Sequence, residues 1–338
     1  MTETLNEHIT EHIIEVKNLE RKYGDFTAVD HLSFSIEKGK IYGLLGRNGA
    51  GKSTTMNILA GCLAPTEGSV IIAGHDITKE PEAAKRHIGY LPENPPLYPD
   101  MTPYEYLVFV AEAKGVSEEK SIRQVEQAMK LTGLLSVQDR LIRNLSKGYR
   151  QRVGIAQAML GNPDVIILDE PTVGLDPKQI IEIRDLIRRL GEIKTVILSS
   201  HILQEIQAVC DHLMIISSGR LVADDTLTGL EESMNRDVAI DLVIKGDYTE
   251  TVSILQHIHG IESFVPIRGK VPGTVEARVL STPGGDPREA IFFAFAEKKF
   301  PILQMNRQIL TLEDIFLRLT EDSYSAVKEE KNAKRKGE

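Results

Sequence analysis

Residues 46–53 read Gly46-Arg47-Asn48-Gly49-Ala50-Gly51-Lys52-Ser53. The spacing G-x-x-x-x-G-K-[ST] suits a bound phosphate. Glycines let the backbone wrap close, and successive N–H groups at a helix start point at the same oxygens. Lys52 is placed to reach outer phosphates, and the Ser53 hydroxyl to ligate Mg²⁺. A second set of oxygen donors follows the apolar run Val165-Ile166-Ile167-Leu168, which ends in Asp169-Glu170. Asp169 suits the Mg²⁺ shell, and Glu170 suits a general base polarising an attacking water. These residues together imply cleavage of a polyphosphate.

Such groups need strands and helices to hold them. Short apolar runs recur at Ile41-Tyr42-Gly43-Leu44-Leu45, Val165–Leu168, Val196-Ile197-Leu198 and Leu213-Met214-Ile215-Ile216. They predict strands buried on both faces of a mainly parallel sheet with helical crossovers. Pro92, Pro95, Pro96 and Pro99 predict an irregular loop over Leu91 to Asp100. Helical patterns from Pro103 to Gly115 and from Glu118 to Thr132 predict a helical insertion over about 101–144. From Thr228 onward the pattern becomes β-α-β-β-α-β, the ferredoxin-like order, with a last helix over Leu312 to Leu319. The expected organisation is a loose N-terminus (1–12), a main domain (13–227), an accessory domain (228–323) and a charged tail (324–338).

Composition narrows the class. Of 338 residues, 40 are Lys or Arg and 49 are Asp or Glu, a net charge of −9. So acidic a chain has no global electrostatic attraction to nucleic acid, and no nucleic-acid partner is expected. The longest apolar run, Ala290 to Ala296, is far short of the roughly 18 residues a membrane helix needs. No leader pattern opens the chain. Two cysteines in no metal spacing fit a reducing compartment. These features predict a soluble, intracellular, globular protein.

Beyond the two motifs, the chain resembles the nucleotide-binding subunit of a bacterial ABC transporter of the exporter type. Leu145-Ser146-Lys147-Gly148-Tyr149 resembles the LSGGQ signature, with Lys147 replacing its first glycine and Tyr149 its glutamine. Pro171-Thr172-Val173-Gly174-Leu175-Asp176-Pro177 matches the D-loop, and His201, after Ser199-Ser200, matches the switch histidine. Tyr23 matches the aromatic that stacks on adenine. Glu93 stands where the family has its Q-loop glutamine, adding negative charge near the phosphates. Thr311-Leu312-Glu313-Asp314-Ile315-Phe316 looks like the ending of drug-, lipid- or polysaccharide-exporter ATPases, and the whole chain resembles those of multidrug export and gliding motility.

The resemblance implies a P-loop ATPase fold: a mostly parallel core sheet, an antiparallel β subdomain and a helical insertion, plus the small α+β ferredoxin-like domain. It implies ATP and Mg²⁺ as ligands. Gly46 to Ser53, with Thr54 and Tyr23, would hold the nucleotide; Ser53, Asp169 and Glu93 would serve the metal; Glu170, His201 and Lys52 would act in catalysis. It further implies a head-to-tail dimer in which Ser146 and Gly148 of one copy complete the other's site. A separate membrane permease would be the second partner, with the chain on the cytoplasmic face of the membrane. Tyr98 and the helix from Pro103 would dock that permease. A regulatory or soluble ATPase of the same class is the alternative. Cargo is not legible, because such subunits meet the permease and not the substrate.

Overall fold

The protein is described here from a computed structural model covering residues 12–234, 239–282, 284–308 and 311–320. The expected charged tail lies outside the described residues. The chain divides into two compact units. One comprises the residues up to Leu227 together with those from Arg318 onward; the other is Thr228–Leu317.

In chain order, the first unit opens with β1 (His12–Tyr23), β2 (Phe26–Glu37), β3 (Ile41–Leu45), α1 (Lys52–Leu59), β4 (Glu67–Ile72) and β5 (His75–Asp76). Next come α2 (Pro81–Arg86), β6 (Ile88–Leu91), α3 (Pro103–Ala113), α4 (Glu118–Thr132) and α5 (Lys147–Met159). It closes with β7 (Val165–Leu168), α6 (Pro177–Gly191), β8 (Thr195–Ser200), α7 (Leu203–Val209), β9 (His212–Ser217) and β10 (Arg220–Thr226).

Two sheets result. A six-stranded sheet runs β10-β9-β3-β8-β7-β6, parallel except at β10. Every residue of β3, β7 and β8 is buried, as expected for strands covered on both faces. A four-stranded antiparallel sheet runs β2-β1-β4-β5. His12, placed by sequence in the loose N-terminus, opens β1 opposite Glu37. Met56, Ile58 and Leu59 of α1 share one core with Val16 and Ile72 of the antiparallel sheet and Leu44 and Ile197 of the parallel one. The helix that follows the phosphate-type loop is thereby fixed from both sides.

Helices α3, α4 and α5 form their own cluster around Leu107, Val125, Met129 and Val153. α3 starts where Thr102 and Glu105 form a reciprocal capping box. α6 starts at the Asp176 carboxylate, which accepts from the Gln179 N–H at 2.9 Å. Ile183, Leu186, Ile187 and Leu190 give α6 a buried stripe at helical spacing.

The second unit begins at the second residue of α8 (Leu227–Met234) and continues through β11 (Ala239–Lys245), α9 (Tyr248–Gln256), β12 (Ile261–Arg268), β13 (Thr274–Ser281), α10 (Arg288–Glu297) and β14 (Ile302–Gln308). Its antiparallel sheet has the order β12-β13-β11-β14, the ferredoxin-like topology. Leu255, Ile291 and Phe295 pack on Ile240, Leu242 and Val279. The apolar run in α10 splits by helical period: Ile291 and Phe295 are buried, while Phe292 and Phe293 are exposed. A last helix covers 312–320. Residues 318–320, given by sequence to the accessory domain, return to the first unit, where the Thr320 carbonyl accepts from the Ser217 hydroxyl at 3.4 Å.

Candidate active site

Register brings the chemistry together. Leu45 lies beside Ser200 and Leu91 beside Leu168 in the parallel sheet, and Leu168 pairs with Leu198. The next residues along each strand are therefore Gly46, Pro92, Asp169 and His201, all at the carboxyl edge. That edge is where open α/β sheets bind ligands.

The loop from Gly46 turns twice through positive φ, at Gly49 (81°) and Gly51 (109°). A Cβ on Gly51 would lie 2.5 Å from the Ala28 carbonyl oxygen, so only glycine fits there. Gly51 is also the N-cap of α1, which leaves the first amides of that helix facing the cleft. The Lys52 ammonium is 6% exposed. It donates to the Gly46 carbonyl (2.8 Å) and the Arg47 carbonyl (3.5 Å), and Oε1 of Glu170 lies 3.3 Å away. Ala50 closes the loop, its N–H donating to the Arg47 carbonyl at 3.0 Å.

The Ser53 hydroxyl donates to Oδ1 of Asp169 at 3.3 Å. The Ser199 hydroxyl donates to the same oxygen at 2.6 Å and accepts from the Glu170 N–H at 2.9 Å. Glu170 has φ of 47°, in the left-handed region. For a non-glycine residue this costs roughly 1–2 kcal/mol, and the bond from Ser199 helps to hold it there. Nδ1 of His201 lies 2.9 Å from Oε2 of Glu170. Burial pushes the Asp169 carboxyl above the usual carboxylate range; the Ser199 and Ser53 hydroxyls and Lys52 pull it down, while Glu170 pushes it up.

Tyr23, Asn48, Gly49, Gly51, Lys52, Ser53, Thr54, Glu93, Glu170 and His201 line one cleft of about 440 Å³. Gly46, Arg47, Ala50 and Asp169 are not among the lining residues; Arg47 is exposed and the other three are buried. Ser146 and Gly148 lie outside the cleft, at the start of α5. The Ser146 hydroxyl accepts from the Tyr149 N–H at 3.4 Å, and a Cβ on Gly148 would meet the Gln179 side chain at 2.7 Å.

Sequence reading gave no part in this cleft to Phe26, Ala28, Val173 or Ser199. Phe26 lines the cleft and pairs with Tyr23 across the Gly24-Asp25 turn. The local signal was Tyr23-Gly24-Asp25-Phe26, aromatics flanking a two-residue turn. Val173 also lines the cleft. Ser199 carried no signal of its own, since nothing in its neighbours says that it faces Asp169.

A lysine-bearing anion loop facing an acid pair and a histidine defines a nucleotide-hydrolysing P-loop protein. Comparison with known proteins narrows this. The family model described as ABC transporter matches residues 29–173. The bacitracin transport ATP-binding protein BcrA of Bacillus licheniformis is 34% identical over 309 residues, spanning 91% of this chain and 97% of that protein. The Nod factor export ATP-binding protein I of Burkholderia orbicola is 30% identical over 316 residues, spanning 91% and 96%. A dimeric ATP-binding cassette solved in a post-hydrolysis state with ADP and Pi has a TM-score of 0.58 at 27% identity, covering 63% of this chain and 98% of that one. The chain belongs to the ABC transporter family, as an ATP-binding subunit, and its reaction is ATP hydrolysis.

Proposed function

We propose that this chain hydrolyses ATP in the cleft between Lys52 and Glu170 to drive export through a separate membrane-spanning partner. The observation that carries the catalytic reading is the double engagement of Glu170, with Lys52 at one oxygen and His201 at the other. In the free protein Lys52 is satisfied by two carbonyls and this carboxylate. An arriving phosphate competes for the ammonium and frees Oε1 of Glu170 to accept a proton from water. His201 holds Oε2 meanwhile and fixes the carboxylate's direction.

The backbone of Gly46, Arg47, Asn48, Gly49, Ala50 and Gly51, with Ser53 and Thr54, cradles the phosphates, and Tyr23 receives the base. Ser53 and Asp169 offer the all-oxygen donor set that Mg²⁺ takes, and Glu93, on the rim of the same cleft, offers a further carboxylate. When bound, Mg²⁺ would offset negative charge on the phosphates. Ser146 and Gly148 serve a second copy's nucleotide in a head-to-tail dimer, which fits their position outside this chain's own cleft.

Export is supported by the relatives' names, bacitracin transport and Nod factor export, over nearly the whole chain. Among the described residues no helix is long and apolar enough to cross a membrane, so movement of cargo needs a partner that spans one. We place the subunit on the cytoplasmic face, where ATP is supplied. The test uses Glu170→Gln. It should bind ATP, dimerise with it, and hydrolyse about 10²–10⁴-fold more slowly. Solubilised from native membranes with ATP and Mg²⁺, it should bring down a polytopic membrane protein in near-equal amount. Near-wild-type turnover removes Glu170 as the base. ATP-dependent dimers recovered without any membrane protein remove the transport reading.

A further inference from the structure

Glu205 is a buried carboxylate, 5% exposed, that the hydrolytic mechanism above does not use. It sits in the first turn of α7. Burying an acid calls for strong partners, and two hydroxyls reach the same oxygen of its side chain. Thr172 Oγ1 donates to Oε2 at 2.6 Å, and Ser200 Oγ donates to Oε2 at 2.8 Å. Ser200 Oγ in turn accepts from the Ile202 N–H at 3.0 Å. In both bonds the hydroxyl donates and the carboxylate oxygen accepts. Thr172 and Ser200 are themselves buried, so both bonds are sheltered from water and correspondingly strong.

The sequence positions of the two donors give this arrangement its meaning. Thr172 stands two residues after Glu170, and Ser200 stands immediately before His201. The links close a ring: Glu170 through Pro171 to Thr172, across Glu205 to Ser200, on to His201, and back through Nδ1 to Oε2 of Glu170. Thr172 opens the loop that leads on to Asp176, the cap of α6. A shift of that loop is thereby passed to both members of the Glu170–His201 pair.

We infer that Glu205 is a positioning residue, a single-atom staple that holds the loop after Glu170 in register with the loop bearing His201, so that the pair meets in hydrolytic geometry. It is not among the residues that line the cleft. Its loss should therefore lower turnover and leave nucleotide binding intact. This inference rests on the assignment of Glu170 and His201 as the hydrolytic pair.

Five full-length variants test it: Glu205→Leu, Glu205→Gln, Thr172→Val, Ser200→Ala and the Thr172→Val/Ser200→Ala double. Each is read for kcat, KM for ATP, and melting temperature. Misplacing reacting groups by about an ångström costs up to about 10²-fold. Glu205→Leu should lose about 10–100-fold in kcat with KM within about threefold. Glu205→Gln should stay within about fivefold of wild type, since its amide oxygen still accepts from both hydroxyls. The double variant should lose about as much as the worse single, because either break opens the same ring.

Full turnover in Glu205→Leu, or losses in the double equal to the product of the singles, overturns the staple. So does a fall in kcat that follows melting temperature and is equally large in Glu205→Gln. Glu170→Gln in parallel separates the two readings. If it is inactive while Glu205→Leu is fully active, only the staple fails. If it is fully active, the base assignment fails and the staple with it.

Discussion

Nδ1 of His201 lies 2.9 Å from Oε2 of Glu170, so the histidine grips the carboxylate oxygen that faces away from Lys52. The pair fixes the carboxylate's direction without occupying Oε1. His201→Ala releases Oε2 and lets the side chain of Glu170 rotate. Hydrolysis should fall about 10–100-fold, with ATP affinity by calorimetry within about threefold. A comparable loss of affinity would make His201 a nucleotide ligand first and a positioning group second.

Lys52 makes the opposite kind of contribution. Its ammonium is buried and held by the Gly46 carbonyl, in the place that the proposed mechanism gives to an incoming phosphate. A charge-assisted hydrogen bond contributes about 1.5–3 kcal/mol, which is about 10–100-fold in affinity. Lys52→Ala should therefore weaken ATP binding by that factor even with Glu170 intact. Titration calorimetry at fixed Mg²⁺ checks it, and unchanged affinity contradicts the role.

The difference between these residues and Glu205 shows what a sequence carries. Gly46 to Ser53 act as one local unit, whose backbone turns and helix start are encoded within eight neighbours. Asp169 and Glu170 are legible because an apolar strand must end where its acids begin. The ferredoxin-like order of the second unit is legible because β11 alternates burial at period two and α9 and α10 keep helical period. Ser199 and Glu205 were not legible. Each gains its role from a residue far off in the chain (Ser199 faces Asp169 at a separation of 30 residues and Glu205 meets Thr172 at 33), and a serine beside a strand end looks the same whether or not an acid faces it. His12, read with the loose N-terminus, is reached by β1 for a related reason: its pairing partner, Glu37, is distant in the chain.

Asp169 should trade stability for function. Burial raises its native carboxyl above the usual range, so the native state holds a proton more tightly than the unfolded chain does. Its contribution to stability is then fully present below the unfolded value, near 3.8, and is lost as pH rises through the raised native value. At neutral pH the charged, buried carboxylate burdens the nucleotide-free protein. Asp169→Asn removes that burden, keeps an oxygen for Ser53 and Ser199, and should raise the melting temperature of the nucleotide-free protein by about 2–4 °C at pH 7.5. The gain should vanish as pH is lowered toward 4. The same variant should lose Mg²⁺-dependent ATP binding. A lower melting temperature at pH 7.5 would mean that the hydrogen bonds outweigh the desolvation of the charge.

Tyr23 and Phe26 flank the hairpin turn, both exposed at the cleft, at 45% and 56%. The Arg21 guanidinium lies 4.7 Å from the Tyr23 ring centre, which steadies the ring from one side and leaves the other for a base. Stacking on an aromatic contributes about 1–3 kcal/mol per base and tolerates any base. Tyr23→Ala should weaken ATP and GTP alike by about 5–100-fold, and Phe26→Ala should weaken both less if Phe26 only borders the ring. Tripolyphosphate, which has no base, should bind both variants as it binds wild type. Calorimetry with the three ligands separates the cases. If tripolyphosphate weakens in parallel, the aromatics support the phosphate loop through Ala28 and Gly51 and do not receive the base. If ATP alone weakens and GTP does not, the cleft reads the adenine edge as well as its face.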